Sequence, residues 1–89
     1  MKVKTGYILR SIAGHHVVLP SGARTVEFVG VMTLNDTGAF LWETMCEDVT
    51  TETLLGKLVR EYDVDTGTAR QDIEDFIAAL KDNDLLDKE

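Results

Sequence analysis

The residues able to do chemistry are few, and their spacing keeps them apart. The two histidines, His15 and His16, are adjacent. Neighbours on a strand point to opposite faces, so the pair does not offer two nitrogens to one metal ion. A zinc site needs three or four convergent ligands, and the pair reads as exposed hairpin residues. Cys46 is the one cysteine, so neither an internal disulfide nor a cysteine-based metal framework is available. It falls on an apolar helical face with no histidine nearby in sequence, the pattern of a buried small hydrophobe rather than a nucleophile. Ser11 and Ser21 have no nucleophile elbow around them. Gly6, Gly14, Gly22, Gly30, Gly38, Gly56 and Gly67 are scattered and form no phosphate-binding or dinucleotide fingerprint. Asp63, Asp65 and Thr66-Gly67 suggest the start of a calcium loop, but the downstream ligands are missing and Asp65 suits a helix cap better. Asp72, Glu74, Asp75 and Asp82 lie mostly off the apolar stripe of their helix, as a solvated face or the wall of a negative groove. These residues predict no enzyme, no metal and no cofactor.

The elements that must carry these residues change character at Asn35. Before it, Tyr7 to Ile12 and His15 to Pro20 are short β-prone runs around Ala13-Gly14, the spacing of a tight hairpin with Gly14 at positive φ. A third strand is expected over 31–34, with Gly30 marking a bend or bulge. From Asn35 the period is helical. Asn35 caps a helix over about 36–46, carrying Phe40, Leu41, Met45 and Cys46, with Leu34 and Ala39 as a weak staple. A second helix over about 51–62 places Leu54, Leu55, Leu58, Val59 and Tyr62 on one face. A third over about 66–83, capped by Asp65 or Thr66, has Ala69, Ile73, Phe76, Ile77 and Leu80 as its stripe. Leu85-Leu86 closes the core before a charged end. The expected fold class is α+β: a three-stranded β unit followed by three helices, one domain over residues 1–89.

Composition narrows the partners. The 89 residues are 44% hydrophobic and 28% charged, an ordinary globular balance with no apolar run of membrane-spanning length. No apolar segment follows the basic start, so no secretory signal is expected, and a cytoplasmic location is the default. The net charge is −7 and unevenly spread. Residues 1–46 hold four basic against three acidic side chains, and residues 47–89 hold five against thirteen. Nucleic-acid binding depends on Lys and Arg clusters that this chain lacks, and an anionic membrane is disfavoured for the same reason. A partner carrying basic residues fits the second half.

The run Val31-Met32-Thr33-Leu34-Asn35-Asp36-Thr37-Gly38-Ala39-Phe40-Leu41-Trp42-Glu43 resembles the strand-to-helix signature of PqqD-like proteins. The likeness continues through Thr50 to Leu55, Glu61 to Asp65, Asp72 to Phe76, Leu80 and Leu85-Leu86, and includes the opening hairpin from Gly6-Tyr7 to Val18. Each piece is a generic cap or stripe; their order and spacing make the resemblance specific. It implies a winged helix–turn–helix-like fold and a recognition element for ribosomally made, modified peptides. Such a domain binds the leader segment of a precursor by strand addition and presents the rest to a modifying enzyme, often a radical SAM protein, as in pyrroloquinoline quinone biosynthesis. An unpaired strand edge has the hydrogen-bonding groups for that mode.

Carried onto this chain, the resemblance places the peptide along Val29, Gly30, Val31, Met32 and Thr33, and against Asp72, Asp75, Phe76 and Ala79 of the last helix. Leu34, Ile73, Ile77 and Leu80 read as core, Met32 as core or groove lining, and Trp42 as a core anchor or partner surface. Gly22 to Gly30, with Phe28, is a long link that lengthens the third strand or folds over the groove. Two other classes stand beside this reading: a winged-helix DNA-binding regulator, opposed by the acidic last helix, and a structural subunit docked constitutively on an enzyme.

Overall fold

The hairpin closes because two residues at its tip adopt left-handed backbone. Ala13 has φ 51° and Gly14 φ 82°, the geometry of a primed turn that matches the twist of its strands. Glycine meets this requirement without a Cβ conflict; Ala13 adopts it against its own preference. The computed structural model describes residues 1–21 and 32–87. In chain order the elements are β1 (Lys2–Val3), β2 (Tyr7–Ile12), β3 (His15–Pro20), β4 (Met32–Leu34), α1 (Asp36–Thr44), α2 (Thr51–Tyr62), α3 (Thr66–Asp82) and β5 (Leu86–Asp87). Strands β2, β3 and β4 form one antiparallel sheet in that order, while β1 and β5 pair separately.

Alternation sorts the sheet into two faces. Leu9, Val18 and Met32 lie in one row across it, and all three pack with the helices. Arg10, Val17 and Thr33 form the next row, on the opposite face. The core beneath the first row is filled by Trp42, Leu41, Met45, Leu54, Leu58, Ile73, Leu80 and Leu85, each less than 2% exposed or at that level. The stripe expected on α3 is the buried one: Ala69, Ile73, Phe76 and Leu80 are inside, and Ile77 is half-buried at its margin.

Caps set the helix starts. Asn35 accepts the Gly38 N–H at 2.8 Å, Thr50 accepts that of Thr53 at 3.1 Å, and Asp65 accepts that of Thr68 at 2.8 Å.

Four expectations need correction. Helix α1 ends at Thr44, not at 46, because the Met45 carbonyl accepts the Val3 N–H at 2.9 Å and the chain leaves the helix there. Cys46 is therefore exposed rather than buried. Partial desolvation, with Glu43 and Glu47 nearby, raises its thiol above the ordinary range, which makes it a poor nucleophile. Tyr62 leaves the apolar stripe at the last turn of α2: it is exposed, its ring edge meets Phe40 at 5.6 Å, and its hydroxyl donates to the Asp36 carbonyl at 3.3 Å. His16 is not a free hairpin residue, since its Nε2 lies 2.7 Å from Asp36 Oδ1 and links β3 to the start of α1.

Candidate functional site

Hydrogen-bond phase determines what β4 leaves open. A two-residue turn places Ile12 and His15 opposite each other as a pair exchanging both backbone bonds. The Ser21 N–H donates to the Gly6 carbonyl at 2.8 Å, in the same phase six residues along. His15, Val17, Leu19 and Ser21 thus face β2 with their backbone groups, while His16 and Val18 face β4. Their partners Leu34 and Met32 use theirs toward β3. Thr33, opposite Val17, is left with its N–H and C=O directed outward, along the edge that no other described strand pairs. Its side chain is exposed.

A groove begins where this edge ends. A hollow of about 270 Å³ is lined by Asn35, Thr37, Gly38 and Leu41 on one side and by Asp72, Asp75 and Phe76 of α3 on the other. Leu34 runs directly into Asn35, so the open backbone of β4 leads into the hollow. The tight junction depends on Gly38: a Cβ there would stand 3.2 Å from both Asn35 Oδ1 and Leu34 Cβ. Leu41 and Phe76, 1% and 7% exposed, form the apolar floor. The Asp72 and Asp75 carboxylates form an exposed acidic rim. Gln71 Nε2 donates to Asp75 at 2.9 Å, whereas Asp72 makes no hydrogen bond or ion pair among the described residues. A wider hollow between α2 and the start of α3, lined by Leu55, Gly56, Val59, Arg60 and others, touches no strand edge.

The chain's residues 7–86 match the family described as coenzyme PQQ synthesis protein D (PqqD). The chain belongs to the PqqD family. No curated protein matches its sequence closely enough to count as a relative. Among solved structures, the PqqD family fold here is similar to "TbiB1 in Complex with the TbiA(beta) Leader Peptide", with a TM-score of 0.74 at 25% identity. That likeness covers 100% of this chain and 98% of the other. The α+β arrangement, a three-stranded antiparallel sheet and then three helices, is that of the PqqD-like fold.

Of the residues expected to line a site, the structure brings Asp72, Asp75 and Phe76 into the hollow and sets Thr33 on the open edge. Met32 is half-buried on the core face opposite Val18, and Ala79 is half-buried beyond the hollow's lining. Val29, Gly30 and Val31 lie outside the described residues, as does the link with Phe28. Asn35, Thr37, Gly38 and Leu41 were missed as lining. They read locally as cap, first turn and core; only the packing of α1 against α3 makes them a wall. Among the described residues no group of three or more His, Cys, Asp or Glu is placed to hold a metal, and no helix is long and apolar enough to cross a membrane.

Proposed function

We propose that this PqqD family protein binds the leader of a ribosomally synthesised precursor peptide as a strand beside β4 and presents the remainder to a modifying enzyme of the radical SAM class. The observation that carries the reading is the outward backbone of Thr33 running into the Leu41–Phe76 hollow. An added strand hydrogen-bonds along the edge while its alternate side chains enter the hollow. The leader-peptide complex formed by the structural neighbour supports the same use of the fold. Met32, Thr33, Asp72, Asp75, Phe76 and Ala79 are the described residues proposed to meet the peptide; Val29, Gly30 and Val31, proposed with them, lie outside the described residues. In this reading the domain contributes binding and presentation, and the covalent chemistry belongs to the partner.

The test separates backbone from side chain at one position. Thr33→Pro removes an outward donor, which an edge strand tolerates. It is expected to abolish most of the affinity for the precursor's leader peptide, with the fold retained. Thr33→Val, which keeps the N–H, is expected to bind like the parent protein. Hydrogen exchange on the bound protein should protect Thr33 and α3 together. Protection confined to the hairpin tip or to α2 would overturn strand addition.

A further inference from the structure

Asp72 and Asp75 stand three apart on α3, over an apolar floor, with no cation of the described residues paired to either. A Lys or Arg three or four residues away on the same helix would offset such carboxylates. Here those positions are Thr68, Ala69, Gln71, Phe76, Ala78 and Ala79, none of them cationic. Two like charges at this spacing repel, so the arrangement costs the free domain something that a bound cation would return. Elsewhere α3 does place a cation against an acid, with Arg70 Nη1 at 3.6 Å from Glu52 Oε2. The other acids of α3, Glu74 and Asp82, likewise make no ion pair among the described residues; what sets Asp72 and Asp75 apart is that both line the hollow.

Resting on strand addition at β4, we infer that this groove selects leaders carrying a lysine or arginine two residues from an apolar anchor. Three residues of helix span about 4.5 Å, whereas side chains on one face of a strand recur about every 6.6–6.8 Å. At that spacing the two carboxylates match one side chain of the peptide better than two successive groove-facing ones, so one cation can answer both. The next groove-facing side chain, two positions away, falls over Leu41 and Phe76, where a large apolar group displaces water from the hollow. Arginine suits the rim especially well, because its planar guanidinium can engage both carboxylates at once. The recognition element in the leader is therefore an apolar and a basic residue separated by one position.

The experiment is a selection of a randomised displayed peptide library on the intact protein, repeated on the Asp72→Lys/Asp75→Lys variant. Both substitutions are on exposed helix positions, and thermal melts verify the fold. The parent protein is expected to enrich an apolar–x–basic or basic–x–apolar pair. The variant is expected to exchange the basic residue for an acidic one and to bind the parent's peptides on the order of tenfold more weakly. Enriched peptides that lose affinity to Thr33→Pro but show no basic preference would overturn the inference and leave strand addition standing. Enriched peptides indifferent to Thr33→Pro, or no enrichment at all, would overturn both.

Discussion

Phe76 belongs to the core and the groove at once. Its ring is 7% exposed among the buried residues of α3, yet it forms part of the floor between α1 and α3. The periodicity of α3 marks Phe76 as buried, and its neighbours Asp72 and Asp75 mark the same side as acidic, so both roles are legible in the sequence. The partner wall is not legible, because Leu41 and Gly38 come to line the same hollow as Phe76 only through tertiary packing. Phe76→Ala is expected to destabilise the fold by about 3–5 kcal/mol, the range for removing a buried aromatic ring, and to weaken peptide binding as well. Thermal melts and titration on the same variant check this. Phe76→Leu, which keeps an apolar floor, should recover most of the stability. If Phe76→Ala melts like the parent protein, the ring is a groove residue alone.

The elements show which signals are local and which are not. Caps and stripes are local, so Asn35, Thr50 and Asp65 stand where their side-chain chemistry puts them, and β2, β3 and α2 keep their expected limits. The pair β1–β5 has no signature in the sequence. Each strand is two residues long, without measurable alternation, and the pairing of Lys2 with Asp87 and Val3 with Leu86 exists because the ends of the described chain meet over the core. The early end of α1 is also tertiary, set by Val3 claiming the Met45 carbonyl. Asp65 allows a pH test at this scale. The Thr68 N–H and hydroxyl both donate to its carboxylate and hold its pKa below the ordinary value. A carboxyl lowered by folding contributes stability above its unfolded pKa, near about 3.9. That contribution is lost as pH falls through the folded value. Asp65→Asn keeps a capping oxygen but has nothing to titrate. The variant's acid-unfolding curve below about pH 4 should be flatter than the parent's, with similar stability near neutrality. Superimposable acid limbs would show that the cap does not contribute through its charge.

At the scale of the molecule, charge is divided along the chain much as the structure is. Residues 1–46, which include the described sheet and α1, are close to neutral, while residues 47–89, which include α2 and α3, carry thirteen acidic against five basic side chains. A helix bearing Asp72, Glu74, Asp75 and Asp82 is a poor reader of duplex DNA, whose phosphates it would repel. In the proposed binding mode the same helix would attract a basic peptide toward the open edge of β4, and the near-neutral sheet would not oppose its approach. That attraction is screened by salt. The Debye length falls from about 8 Å at 0.15 M to about 3 Å at 1 M ionic strength, while backbone pairing at Thr33 and apolar contact with Leu41 and Phe76 depend on salt only weakly. Peptide affinity is therefore expected to drop as salt rises but to level off above zero, at the value set by the strand and the floor. Asp72→Asn/Asp75→Asn should begin near that plateau and change little across the range. Calorimetric titration of one selected peptide at several salt concentrations reads both quantities. An affinity independent of salt in the parent protein would remove the acidic rim from recognition, and a steep fall that persists in the double variant would move the electrostatic contact to another part of the acidic half.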